Sequence, residues 1–230
     1  MKKIAIILAR GGSKRIPKKN IKKFCGKPII AYSIEAAINS TLFDKVMVST
    51  DDENIAKLAL KYGAVVPFLR SEKTSNDFAT TFDVIEEVLG EFKNRKEIFD
   101  YTCCIYACAP FISEANLKIS YNKLIDKKFN SVLPIIPFSY PFQRSLKMKG
   151  NNVNFIYPEY SLTRSQDLEK IYHDAGQFYW MNTKISLRKK QLITSNSGSI
   201  ILSELEGQDI DNDIDWKLAE LKYEFLQAHK

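Results

Sequence analysis

Apolar and polar positions along the chain switch repeatedly between two rhythms. Ile4 to Leu8 is a short unbroken apolar run, the mark of a strand buried on both faces of a parallel sheet. In PIIAYSIEAAINS the spacing becomes helical, with Ile30, Ile34, Ala37 and Ile38 on one face and Pro28 opening the first turn. KVMVST predicts a second strand, DDENIAKLALKYG a helix stopped at Gly63, and VVPFLR a third extended piece. Thr80 to Lys93 carries an apolar stripe of Phe82, Ile85, Val88, Leu89 and Phe92. YTCCIYACAP reads as a fourth strand, Ser113 as the cap of a helix running to about Lys127, and SVLPIIPF as a fifth strand. QFYWMNT and SIILSEL then return as strands, and DIDWKLAELKYEFLQ closes the chain as a helix.

Repeated β-α-β units predict one α/β domain over residues 1–230, a mainly parallel Rossmann-like sheet with helices on both faces. Between 141 and 172 the rhythm breaks. Alternating stretches flank Gly150-Asn151-Asn152 there, which predicts a hairpin arm inserted into the fold.

Charge changes the picture at one place. The chain holds 34 Lys and Arg against 27 Asp and Glu. Ten of the basic residues lie in positions 1–34, which contain no acid, leaving 24 basic against 27 acidic residues elsewhere. A protein that tracks a nucleic-acid backbone spreads its cations over a wider face, so the local excess points to a compact anion such as a nucleoside triphosphate. A solvated lysine-rich surface is the plainer reading of a bare charge cluster. The excess centres on LARGGSKRIPKKN, which follows the first strand, where open parallel sheets bind their ligands. Gly11 and Gly12 would let backbone amides approach an anion, with Arg10, Lys14, Lys18 and Lys19 supplying charge. GGSKRI lacks the later glycines of the dinucleotide fingerprint, and no Walker A pattern is present, so a dehydrogenase and a P-loop kinase lose their main signatures.

A second constellation, QDIDNDID, lies at 208–215. On an extended segment Asp209 and Asp211 share a side, roughly 6.5 Å apart at the backbone, and can converge on a hard cation such as Mg²⁺. Asp213 and Asp215 stand where they would cap and charge the following helix. A basic glycine loop together with a carboxylate pair describes nucleotidyl transfer. No Ser-His-Asp or Cys-His arrangement suggests a covalent intermediate.

The remaining composition sets bounds. Cys25, Cys103, Cys104 and Cys108 form no CxxC pair and read as free thiols of a reducing, cytoplasmic protein. Residues 4–9 are too short to span a membrane and are followed by no cleavage-site pattern, so no membrane association is expected.

The segments LARGGSKRIPKKN, FCGKPIIAYSIEAA, FDKVMVSTDDENIA and GQDIDNDIDWKLAE resemble the cytidylyltransferases that activate nine-carbon α-keto acid sugars as CMP-sugars, the group that includes CMP-sialic acid synthetase. The resemblance runs in order along nearly the whole chain and implies a nucleotidyltransferase sheet, CTP and an acidic nine-carbon sugar as substrates, Mg²⁺, and a homodimer. It assigns the CTP site to Leu8, Ala9, Arg10, Gly11, Gly12, Lys14, Lys19 and Asn20, with Arg10 and Lys19 as catalytic cations. Arg70, Ala79 and Thr81 fall where the family recognises cytidine, and Asp209 and Asp211 fall on the Mg²⁺ ligands. Plainer roles exist for several: Asn20 can cap a turn, Thr81 can start its helix, and Arg70 can make a surface pair.

On the sugar side the chain is most similar to the branch acting on pseudaminic acid, through SNDFATTFDVI, SKRIP and RSQDLEKIYHDAGQFYW. Tyr106 and Ala175 replace the glutamine and asparagine usual in sialic acid enzymes. Candidate sugar contacts are Tyr106, Arg164, Gln166, Tyr172, His173 and Asp174, with the Arg164 fork suited to the sugar carboxylate. His173 and Asp174 are adjacent and would point oppositely in a strand, so they form no dyad. The 141–172 insertion resembles the family's dimerisation arm, with Phe142, Phe155, Ile156, Tyr157 and Tyr160 as candidate contacts. Legionaminic or N-acetylneuraminic acid remains an alternative substrate, and a non-catalytic nucleotide- or RNA-binding protein is the reading of a different class. No role emerges for Met181, and no general base is visible.

Overall fold

A computed structural model describes residues 1–229. In chain order, β1 (Lys3–Leu8) leads through the basic loop to the two-residue strands β2 (Lys23–Phe24) and β3 (Lys27–Pro28), then α1 (Ile29–Asn39) and β4 (Lys45–Ser49). Next come α2 (Glu53–Lys61), the one-turn α3 (Glu72–Ser75), α4 (Thr81–Asn94), β5 (Tyr101–Tyr106), α5 (Glu114–Asp126) and β6 (Ser131–Pro137). The hairpin β7 (Leu146–Lys149) and β8 (Asn152–Phe155) precedes β9 (Tyr172–Asp174), β10 (Phe178–Asn182), α6 (Thr183–Lys189), β11 (Ser197–Ile201) and α7 (Asp213–Ala228).

The main sheet runs β11-β6-β10-β5-β1-β4, with β9 also pairing to β6. Pairs β1–β4, β1–β5 and β6–β11 are parallel, and β9 and β10 are the antiparallel members. The register sets Leu8 opposite both Ser49 and Tyr106, so three strands end at one level. That common carboxyl edge is where a doubly wound sheet leaves a crevice.

Side-chain alternation divides the core. Ala5, Ile7, Cys103, Ile105 and Trp180 pack with α1, α2 and α5, whereas Ile4, Ile6, Met47, Cys104, Tyr179 and Met181 pack with α4. Cys103 and Cys104 therefore face opposite ways, and all four cysteines are free thiols. Met181 is wholly buried on the α4 side of the sheet, which gives it a packing role. A third, smaller cluster joins Ile16, Phe24, Ile29 and Tyr32 to Ile210, Trp216 and Ala219. Phe24 sits edge-on to Tyr32, Trp216 and Tyr223. This cluster fastens the chain's first loop to its last helix.

Local chemistry explains the element ends. Asp52 accepts from the Asn54 and Ile55 amides, Ser113 from Asn116, and Thr80 with Asp83 closes a capping box. Departures from the sequence pattern have similarly local causes. VVPFLR is not a strand: Val65 bridges to Met47, but Pro67 follows and carries no amide donor to continue a ladder. Pro28 is the N-cap of α1 rather than part of its first turn, and Ile38 is 37% exposed at the helix end. The short β9 and α6 were not anticipated. The expected hairpin forms, turning at Gly150 and Asn151.

Candidate active site

The basic loop and the carboxylate segment meet in a cavity of about 470 Å³. Leu8, Arg10, Lys14, Lys19 and Asn20 line it on one side, Gln208, Asp209 and Asp211 on the other, and Tyr106, Cys108 and Gly176 at the sheet edge. Ile210 is 2% exposed and belongs to the small cluster, so its neighbours Asp209 and Asp211 both turn to the cavity. Lys19 spans the gap, its Nζ donating to the Ile210 carbonyl at 2.6 Å.

The loop is held from within. Asn20 is buried; its Nδ2 donates to the Arg10 carbonyl at 2.8 Å, and the Cys108 thiol donates to its Oδ1. Burial pushes the Cys108 pKa up to about 12, so the thiol stays protonated and serves as a donor. Gly11 is required by close approach, since a Cβ there would lie 2.9 Å from the Asp52 Cβ. Its amide donates to Asp51 Oδ1 at 2.8 Å and is thus already engaged, whereas Gly12 has open space beside it. Ala9 is buried, its amide bonded to the Ser49 carbonyl, and does not line the cavity.

Two ion-pair systems occupy three of the cavity's four cations. Asp77 bridges Arg10 at 2.7 Å and Lys14 at 2.5 Å, and hydrogen bonds from Lys14 and Arg10 hold its pKa below the usual aspartate value. Arg15 lies 2.7 Å from Asp211. Sequence reasoning singled out neither pairing, although all three basic partners lie in the loop it flagged.

The expected cytidine residues sit behind this wall. Arg70 is buried and donates to the Ser49 carbonyl at 2.6 Å and to Ser49 Oγ at 3.1 Å, with burial lowering its pKa. It is a strand-end anchor, not a surface pair. The Ala79 amide bonds Asn76 Oδ1. Thr81 Oγ1 lies 3.2 Å from Tyr106 Oη, and only through Tyr106 does it reach the cavity. Asp213 pairs with Lys22 at 3.3 Å, while Asp215 and Asn212 form the capping box of α7.

A second cavity of about 540 Å³ adjoins the first and shares Tyr106, Gly176, Gln208 and Asp209 with it. His173 and Asp174 line it, together with Tyr179 and Lys222. Tyr179 Oη donates to Asp174 Oδ2, and its ring packs edge-on against Tyr106. Burial pushes both tyrosine pKa values up, so both hydroxyls keep their protons. His173 Nδ1 is 2.8 Å from the Asp174 carbonyl, and its ring lies beside Phe138. The other expected sugar contacts are not brought here. Gln166 and Tyr172 line a further hollow near the arm, which shares Pro137, Ser139 and Glu204 with the second cavity, and Arg164 is exposed and paired with Asp167 at 2.7 Å.

Among the described residues, no group of three or more His, Cys, Asp or Glu is placed to hold a metal. A divalent ion between Asp209 and Asp211 would take two protein carboxylates and complete its shell from water and phosphate, an arrangement that suits Mg²⁺. The residues fit such an ion, because Asp209 and Asp211 both face the cavity and Arg15 stands beside Asp211 in the place a cation would take.

A family model described as cytidylyltransferase matches residues 4–214. The chain belongs to the cytidylyltransferase family. It is 42% identical over 224 residues to a pseudaminic acid cytidylyltransferase of Campylobacter jejuni, covering 97% of each chain. It is 34% identical to a CMP-N,N'-diacetyllegionaminic acid synthase of Legionella pneumophila over 99% of this chain and 98% of that one. Among solved structures it is similar to a CMP:2-keto-3-deoxy-manno-octonic acid synthetase complexed with CTP, with a TM-score of 0.71 and 18% identity over 99% of this chain and all of that one. At that identity the likeness bears on the fold, a mixed α/β nucleotidyltransferase sheet. As a member of the family this chain is a nucleotidyltransferase.

Proposed function

We propose that the protein transfers CMP from CTP to the anomeric hydroxyl of pseudaminic acid, releasing pyrophosphate. The observation that carries the reaction is the shared wall: a cavity of about 470 Å³ lined by Arg10, Lys14, Arg15 and Lys19, large enough for a nucleotide, adjoins a second cavity, with Asp209 common to both. The choice of sugar rests on the full-length similarity to the Campylobacter enzyme.

CTP lies over the N-terminal loop, its phosphates drawn by Arg10, Lys14 and Lys19. Arg10 and Lys19 act as the catalytic cations, stabilising charge that grows on the transferring group. Asn20 and Cys108 keep the loop in shape for this. Arg70, Ala79 and Thr81 define the pyrimidine end through the strand terminus and the segment before α4. Asp209 and Asp211 would hold Mg²⁺, which when bound supplies charge neutralisation at the phosphates. The sugar occupies the second cavity, where Tyr106, His173 and Asp174 face its hydroxyls and acyl groups, and its anomeric hydroxyl attacks the α-phosphorus in line.

A second copy of the chain covers the arm, where Met148 and Leu162 are largely exposed in the single chain and Phe142, Ile156 and Tyr160 partly so. Arg164 and Gln166, which do not line this chain's sugar cavity, lie on that same arm. Free thiols suit a reducing cytoplasm. No helix among the described residues is long and apolar enough to cross a membrane.

The test is pyrophosphate release from CTP and Mg²⁺ with pseudaminic, legionaminic and N-acetylneuraminic acids in separate reactions, with Asp211→Asn alongside. Release with pseudaminic acid alone, lost in the variant, is the expected result. Release with another sugar would move the substrate assignment and keep the chemistry. No release from folded, CTP-binding protein would favour a non-catalytic nucleotide binder.

A further inference from the structure

The cavity's cations do not all have the same kind of partner. Arg10 and Lys14 share Asp77, and Lys19 is bonded to a backbone carbonyl. Arg15 instead holds Asp211, a carboxylate that a divalent ion would claim. The pairing is fixed by the chain on both sides. Arg15 precedes Ile16 and Asp211 follows Ile210; both isoleucines are almost fully buried in the cluster that joins the first loop to α7. The two backbones are therefore locked at a distance the arginine spans, while its side chain stays 70% exposed and free to turn. A guanidinium and a divalent cation repel each other on one carboxylate. The guanidinium fork also matches phosphate oxygens as well as it matches a carboxylate.

We propose that Arg15 is a substrate-binding cation that changes partners during the cycle. It neutralises Asp211 in the free enzyme and moves to the CTP phosphates when a divalent ion takes that carboxylate. The inference rests on the reading of Asp211 as a metal ligand. Its consequence is an order to assembly: the bare protein resists the metal, and the nucleotide, by giving Arg15 a new partner, lets the metal in.

The exchange makes Arg15→Ala act in opposite directions on two ligands. Mn²⁺ titrated into the full-length protein without nucleotide, followed by water-proton relaxation, should bind roughly two- to five-fold more tightly in the variant, the scale of an exposed ion pair. CTP titrated calorimetrically at saturating Mn²⁺ should bind about ten-fold or more weakly, because a charge-assisted contact is gone. Arg15→Lys, which keeps charge but not the fork, should fall between on CTP. Unchanged Mn²⁺ affinity, or weakening of both ligands as from a disordered loop, would overturn the exchange. Asp211→Asn separates the two levels. If it binds Mn²⁺ like the parent, Asp211 is no metal ligand and the exchange falls with that reading. If it loses Mn²⁺ while Arg15→Ala changes nothing, the metal site stands and the role given to Arg15 falls alone.

Discussion

The two adjoining cavities are built differently. The first takes its four cations from residues 8–20, at and just after the end of β1, closed by a short segment before α7 and fastened by one buried cluster. The second is assembled from β5, β6, β9, the turn at Gly176, β10, the segment before α7 and α7, with Lys222 as its one Lys or Arg beside Asp174, Glu204 and Asp209. Holding a triphosphate demands several cations close together, and one loop can spell that locally. Shaping a sugar pocket demands particular registers between distant strands, which no local run of residues records.

The largest expected effect strikes the scaffold both cavities share. Phe24→Ala removes a fully buried ring touching Tyr32, Trp216 and Tyr223, and should cost about 3–5 kcal/mol in urea unfolding. A loss under 1 kcal/mol would mean the cluster does not clamp the first loop to the last helix.

Next comes the chemistry of the first cavity alone. Lys19→Ala should lower turnover by about 10²–10³-fold in a pyrophosphate assay, comparable to removing a preorganised charge-stabilising donor. Its KM for the sugar should change far less, and an equal rise there would blur the distinction between the cavities. In the second cavity Asp174→Asn should raise the sugar KM about ten-fold, as loss of a hydrogen-bonded charge would, with the KM for CTP unmoved.

Smaller effects sharpen the picture of the first cavity at rest. Asp77→Asn frees Arg10 and Lys14, so CTP should bind about two- to five-fold more tightly by calorimetry. Glu87 then offers a pH test of the segment carrying Asp77. Burial raises its pKa, but hydrogen bonds from the Ser71 amide, Thr74 and the Ser71 hydroxyl outweigh that and leave it below the ordinary value of 4.5. A depressed folded pKa contributes stability that is present above 4.5 and lost as pH falls through the folded value. Hydrogen-exchange protection over residues 71–79, relative to the intrinsic rate at each pH, should therefore fall below pH 4.5, and Glu87→Gln should flatten that dependence.

Much of the fold was legible because its strands are unbroken apolar runs and its helices carry capped stripes, as in Ile4–Leu8 and the stripe from Phe82 to Phe92. Where tertiary pairing decided, the pattern misled or fell silent: Pro67 ends a run that is apolar enough to be a strand, and β9 is too short to register. At the site, cations and carboxylates were visible by type, but their partners were not. That Gly11 spends its amide on Asp51, or that Arg15 reaches Asp211, depends on distances between chain segments brought together only by folding. Arg164 shows the converse, a side chain suited to a carboxylate that the chain's own fold places outside the second cavity and pairs with Asp167.

The division of labour between the two cavities is tested most directly by a crystal structure of the protein with CTP and Mg²⁺ and no sugar. The expected result is a triphosphate against Arg10, Lys14 and Lys19, Asp77 released from the loop, a metal at Asp209 and Asp211, and a second cavity without nucleotide. A nucleotide seated between His173, Tyr179 and Lys222, with the basic loop still closed on Asp77, would contradict the assignment.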